Sequence, residues 1–276
     1  MVKVRRGFVK VAEGQVHYRT SVGPNGEAPD VTPLVILHAA PAASGVLIPF
    51  IARMGETRPV YALDSLGMGD SSPPAAADPD ASYFADATFR ALDGLGIETF
   101  DLHGILTGTR AAVEMALQNP TRVRKLVVDR LGVLSDEMRD EWLEKFCPPV
   151  ALDYLGSQFR FAWHFVRDEF MYFPWYKRDA ENRMMRDMPT ADHLHDKVIE
   201  LLKGITTYHL FIGAGLRYPA AEKMPQITVP TLATEESVGY IPGARTKITP
   251  AMPDFGYQPP AAIEAACIEI AEFLDG

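Results

Sequence analysis

Cysteine is nearly absent. The chain has two, Cys147 and Cys267, far apart in its 276 residues. Two thiols in a chain this long do not make a disulfide framework, which excludes the small stapled class of extracellular domain. Cys267 falls on the apolar stripe of the last helical pattern, and core packing is expected for it. Long apolar runs are missing as well: no stretch reaches the roughly 18 uninterrupted apolar residues of a membrane span. The opening Met1-Val2-Lys3-Val4-Arg5-Arg6 carries basic residues with no apolar run behind them. A secretory signal is therefore not expected, and a cytoplasmic location is. Positive charge is in deficit, with 27 Lys and Arg against 36 Asp and Glu and a formal net charge of -9. No basic stripe offsets this. A nucleic-acid partner is not expected on that ground, because a phosphate backbone is held by clustered Lys and Arg.

What is present is an alternation. Residues 6–22 read as two short strands around the Glu13-Gly14 turn. Leu34-Val35-Ile36-Leu37 is a continuous apolar run between turn signals, as a strand buried on both faces should be. Pro59 to Leu63, Phe100 to His103 and Val123 to Val128 repeat that signature. Helical patterns over Gly45 to Met54, Ala81 to Leu95 and Thr109 to Gln118 separate them. Strands alternating with helices predict βαβ units and a mostly parallel sheet. The alternation breaks near Leu134 and resumes near Val229, with an aromatic-rich helical stretch between. Thr231 to Thr234 and Thr246 to Ile248 read as the last strands, and Pro259 to Leu274 as a closing amphipathic helix.

Four motifs stand at the strand ends. His38-Ala39-Ala40-Pro41 follows the third strand, and Asp64-Ser65-Leu66-Gly67-Met68-Gly69-Asp70-Ser71 follows the fourth. Gly104-Ile105-Leu106-Thr107-Gly108 joins the fifth strand to its helix. Ile241 to Arg245 leads through the eighth strand to Pro253-Asp254-Phe255. In this order they resemble the α/β-hydrolase superfamily: its oxyanion loop, its Asp-x-x-Gly-x-Gly-x-Ser loop, its nucleophile elbow and its histidine loop. The resemblance spans nearly the whole chain. It implies an eight-stranded, mostly parallel sheet with helices on both faces and a helical cap after strand six. The implied division is 1–133 and 223–276 for the core and 134–222 for the cap.

The departures from that pattern decide the chemistry. The elbow position, Ser, Cys or Asp in the family, is Leu106, and a leucine cannot attack carbon. Asp254 stands where the family's histidine would be, and no histidine occurs after His209. Loss of the nucleophile or base costs such a triad about a millionfold in turnover. Covalent chemistry by the family route is therefore excluded.

What survives is backbone: the N–H groups of Thr107 and Ala39 remain as oxyanion donors, or as caps of helix starts. Asp254 and Asp129 are candidate acid or base groups, with an ion pair to a neighbouring arginine or a turn cap as the plainer roles. His164, in Trp163-His164-Phe165, is a third candidate if it faces the elbow. Trp163 and its aromatic neighbours either line a pocket for a flat apolar ligand or hold the helical segment in place. His38 is a candidate substrate contact, although the resemblance implies that it orders its loop. His103 reads as a core histidine, and Glu235 and Glu236 as a solvated loop. Asp192-His193-Leu194-His195-Asp196 has ligating residue types, but histidines two apart leave a helix in different directions. No metal or cofactor is expected.

Two functions remain open. One is a cofactor-independent hydrolase or lyase acting on a small apolar or aromatic substrate. The other is a catalytically inactive relative that binds a small molecule. A serine esterase whose nucleophile comes from elsewhere, such as Ser44, is a lesser alternative, and a homodimer is left open.

Overall fold

The computed structural model describes residues 2–247, 249–250 and 260–276. The chain opens with a hairpin, β1 (Arg5–Val11) and β2 (Gly14–Thr20), in which Val9 faces Val16. It continues through β3 (Leu34–Leu37), α1 (Ile48–Met54), β4 (Val60–Leu63), α2 (Ala81–Gly94), β5 (Phe100–Ile105), α3 (Thr107–Gln118) and β6 (Val123–Asp129). Five helices follow without a strand: α4 (Asp136–Lys145), α5 (Ser157–Met171), α6 (Ala191–Lys203), α7 (Tyr208–Arg217) and α8 (Ala220–Lys223). Then come β7 (Thr231–Thr234), the single turn α9 (Glu235–Val238), β8 (Arg245–Lys247) and α10 (Pro260–Asp275).

Among the described residues the strands form one eight-stranded sheet in the order β1-β2-β4-β3-β5-β6-β7-β8. Only the pairings of β2 are antiparallel; from β4 to β8 every neighbour is parallel. The expected fold class is thus the observed one. Period-two alternation explains the layers. Leu34 and Ile36 point to one side with Val60, Ala62, Val127 and Leu232, against Phe50 and Ile51 of α1 and Cys267 and Ile270 of α10. Val35 and Leu37 point to the other, with Leu102, Leu126 and Val128, against α2 and α3. Both faces are covered, which is why these strands read as unbroken apolar runs.

The helices between β6 and β7 carry their own apolar knot. Phe165 is fully buried, and its ring meets those of Phe146, Phe161, Trp175 and Tyr208 at centroid distances of 4.8–6.1 Å. Side-chain caps start several helices: Asp80 accepts from Tyr83 N before α2, Ser135 from Met138 N before α4, and Thr190 from His193 N before α6. Each satisfies one of the backbone donors a helix start leaves over. No described helix is long and apolar enough to cross a membrane.

Candidate functional site

β5 passes into α3 through one residue, Leu106, whose φ of 49° and ψ of -111° lie where side chains are rarely found. A non-glycine residue held there costs on the order of 1–3 kcal/mol, so its surroundings must enforce it. They do so through the backbone. Leu106 N–H donates to the carbonyl of Asp129 at 2.8 Å, and its own carbonyl accepts from Thr109 N–H at 3.1 Å and from Arg110 Nη1 at 2.6 Å. The flanking glycines make the close approach. A Cβ on Gly104 would come within 2.5 Å of Thr109 Cα, and one on Gly108 would run into the carbonyls of Leu37 and His38. The turn aims the Leu106 side chain, and the N–H groups of the first turn of α3, at the ends of the strands. The N–H of Thr107, the first residue of that helix, has no carbonyl behind it in the helix.

The loop after β3 lies beside the elbow. Ala40 N–H reaches Thr107 Oγ1 at 3.4 Å. His38 is fully buried, with Nδ1 at 2.9 Å from the carbonyl of Ala39 and Nε2 accepting from Ser65 N–H at 3.0 Å. An Nε2 that accepts leaves the proton on Nδ1, so both ring nitrogens are committed. Burial pushes its pKa below the ordinary imidazole value. His38 therefore ties the loop to the turn after β4 from behind.

That turn is built around Asp64, whose Oδ1 accepts from Ser44 N–H at 2.7 Å and whose Oδ2 accepts from Asp70 N–H at 3.1 Å and faces His17 Nδ1 at 2.7 Å. His17, Asp64 and Asp70 offer ligand atoms within 4.8 Å of one another. Yet both Asp64 oxygens already accept N–H donors, so the group reads as a lock on the loop and not as a metal set.

A cavity of about 470 Å³ opens over the elbow. Its floor is Ala39 to Ala42, Leu106 and Thr107; Arg130, Gly132 and Glu236 stand at the ends of β6 and β7. Trp142, Phe146, Phe173, Ile212 and Leu216 close it from the helices between β6 and β7. Two charged features complete the wall. One is Arg110, on the first turn of α3. The other is the buried ion pair of Lys197 (α6) with Glu169 (α5). Burial raises the Glu169 pKa above the ordinary carboxylate value, and the Lys197 ammonium opposes that rise.

Of the residues singled out from sequence, Ala39, Leu106 and Thr107 meet at this cavity. Among the described residues, His38, Asp129, His164 and Trp163 do not line it. Asp129 is fully buried, and its carboxylate turns to the side of the sheet covered by α1 and α10. There Oδ2 lies 3.4 Å from His103 Nε2 and 3.9 Å from Lys247 Nζ. Strand alternation sends the side chain to that face even though the Asp129 carbonyl supports the elbow. His103 is a buried core histidine against the Phe50 ring. His164 is half-buried on α5, and Trp163 is 43% exposed. Both sit off the inward stripe of that helix, which Ala162, Phe165, Val166 and Phe170 occupy. Ser44 is buried away from the cavity. Glu235 and Glu236 are exposed as expected, but they form the turn α9, and Glu236 reaches the cavity rim. Asp254 lies outside the described residues.

Sequence reasoning missed Arg110 as a cavity residue, the Glu169–Lys197 pair, Trp142 and Phe146, whereas Phe173 belongs to the aromatic run expected to line a pocket or hold the helical segment. A signal existed for Arg110 alone, because a residue four after the elbow returns to the same side of the helix. The rest meet only through the packing of separate helices.

The model of the alpha/beta hydrolase fold family matches residues 32–174, just over half of the chain. Over 113 residues the chain is 34% identical to 2-hydroxymuconate semialdehyde hydrolase of Pseudomonas putida, covering 40% of this chain and 39% of that protein. Over 121 residues it is 32% identical to carboxylesterase YbfK of Bacillus subtilis (strain 168), covering 44% of this chain and 39% of that protein. These matches span about two-fifths of the length of those relatives. The structure resembles that of an epoxide hydrolase from Vigna radiata with a TM-score of 0.70 at 15% identity, over 99% of this chain and 98% of that one. At that identity the likeness concerns the fold alone.

Proposed function

Because this chain belongs to the α/β-hydrolase family, we propose that it is a cofactor-independent hydrolase or lyase that works without a nucleophile at its elbow. Its substrate is a small apolar or aromatic molecule held between the strand ends and the helices of 134–222, which act as a cap. The observation that carries this reading is Leu106 itself, a residue with no reactive atom kept in a strained conformation at the cavity floor. That conformation starts α3 directly beneath the cavity, so the N–H groups of Thr107 and Ala39 remain available to an oxygen gaining negative charge. Donors of this kind contribute about 3 kcal/mol each in acyl-transfer sites. The aromatic walls suit an apolar body and exclude water. Proton transfer falls to a carboxylate, and the residues to examine first are Glu236, on α9 at the rim, and Asp254, which the sequence puts where the family carries its histidine.

Turnover of a panel of aryl esters, lactones and aromatic carbonyl compounds tests this, with wild type set beside Glu236→Gln and Asp254→Ala. Conversion by wild type that drops in either folded variant supports the proposal. Conversion of none overturns it. The second reading, binding without turnover, draws support from the positions of Asp129 and His164, neither of which lines the cavity. Saturable binding of panel members with no product would establish that reading instead.

A further inference from the structure

We propose that Arg110 is a carboxylate-recognition residue and that the molecule bound in the cavity is an apolar or aromatic acid whose carboxylate lies against this guanidinium. The inference rests on the cavity being the functional site, as proposed above, and adds the charge of what enters it.

Arg110 lies on the first turn of α3, four residues after the elbow, and lines the cavity beside Leu106 and Thr107. Nη1 donates to the carbonyl of Leu106 at 2.6 Å, which anchors the group. That bond uses one of the five N–H donors an arginine carries. Among the described residues no carboxylate lies within ion-pair distance of it. The nearby acids are engaged or exposed: Glu169 pairs with Lys197, Glu114 pairs with Lys223 at 2.8 Å, and Glu236 is exposed on α9. Burial lowers the Arg110 pKa to about 10, so the group is still a cation at neutral pH. A cation half-buried without a counter-charge loses part of its hydration, and a carboxylate brought by a ligand offsets that loss with two parallel hydrogen bonds.

The surroundings favour an anion further. Arg110 is at the amino end of a twelve-residue helix, where the partial charge is positive. It also stands between two spaces, because a smaller cavity of about 180 Å³ shares Arg110, Gly215 and Leu216 with the main one. Gly215 of α7 keeps room for it: a Cβ there would touch Arg110 Cδ at 3.7 Å and crowd Thr107 Cγ2 at 3.1 Å. A ligand with its apolar body against Trp142 and Phe146 would bring its acid group to this junction, beside the N–H of Thr107.

The test compares an acid with its neutral counterpart. Binding of 3-phenylpropionate and of 3-phenylpropanol is measured by calorimetry on wild type, Arg110→Met and Arg110→Lys. Wild type is expected to prefer the acid by about tenfold or more, as a charge-assisted bidentate contact implies. Arg110→Met should lose the preference and keep its alcohol affinity, while Arg110→Lys keeps part of the preference, having the charge without the fork. Equal binding of acid and alcohol by wild type overturns the inference, even if Arg110→Met is unfolded, and leaves the cavity reading in place. A preference that survives in folded Arg110→Met overturns it too. If neither probe binds wild type, both readings fail. Acid binding that depends on Arg110, with no turnover of the panel, upholds this inference and removes the catalytic one.

Discussion

The guanidinium of Arg110 donates to the carbonyl oxygen of Leu106 at 2.6 Å, so the residue that brings positive charge to the cavity also braces the strained turn beneath it. The strain should be measurable. Normally a glycine is worse than an alanine, but at φ 49° the order should invert. Leu106→Ala removes packing and keeps the strain, whereas Leu106→Gly removes both. We expect the glycine variant to be more stable than the alanine variant by about 1 kcal/mol, read by urea unfolding. The usual order would mean that Leu106 is not strained.

Restoring a hydroxyl at the elbow should not restore a serine hydrolase. All seven histidines are among the described residues, and none lines the cavity. Leu106→Ser would lack a histidine to deprotonate it. It should stay unlabelled by a fluorophosphonate under conditions that label an ordinary serine esterase, with intact-mass spectrometry as the readout. Stoichiometric labelling would show that a carboxylate such as Glu236 can take the histidine's place as base.

Asp64 should impose an acid limit on stability. Burial pushes its carboxyl up, but the hydrogen bonds from His17 and Ser44 and the neighbouring imidazoles outweigh this and hold it at about 2, against an ordinary value of 3.8. A depressed acid stabilises the fold above its unfolded pKa and loses that contribution as pH falls from 3.8 toward 2. Asp64→Asn should be less stable than wild type at pH 7, and the gap should narrow across that window. A gap independent of pH would assign the loss to packing.

The imidazoles of His38 and His103 should act in a milder range. Burial lowers both below the ordinary value of 6.5, and for His103 the Asp129 carboxylate only partly opposes it. In the unfolded chain these groups take up protons once pH falls below 6.5, while the folded state resists. Stability should therefore be constant above that pH and decline below it. His103→Phe should show a shallower decline in thermal melts between pH 7 and 5.

The Glu169–Lys197 pair closes one wall of the cavity and is buried on both sides. Removing one partner strands the other charge. Lys197→Met alone should cost about 3 kcal/mol or more, and the double variant Glu169→Leu with Lys197→Met should recover much of it. Purely additive losses in denaturant would show that the two charges do not stabilise each other.

Much of the fold was legible because its signals are local. Leu34 to Leu37 reads as a buried strand and is β3, since a strand covered on both faces needs apolar residues at every position. The last helix, with Cys267 on its apolar stripe, packs as the pattern requires. At the site, local signals reached only as far as the chain turns on itself. Gly104 and Gly108 announce the elbow, and Leu106, Thr107 and Ala39 follow from it. Asp129 is a candidate from sequence because it ends the sixth strand, where some members of the family carry the triad acid. Which face its carboxylate would take depends on a one-residue register that the neighbouring strands β5 and β7 settle.

By itself, then, the sequence determined the order of strands and helices, the sharp turn after β5, and the loss of the reactive side chain there. Each is a property of a few consecutive residues, carried by hydrophobic period, by the need for glycine, or by the identity of one residue. The tertiary structure alone decided what faces the elbow: the aromatic wall from α4 and the loops after α4 and α5, the Glu169–Lys197 pair, and an arginine cation with no carboxylate beside it among the described residues. Those groups come from segments far apart in the chain, and their meeting is set by how helices pack over a sheet edge, which no short-range pattern encodes.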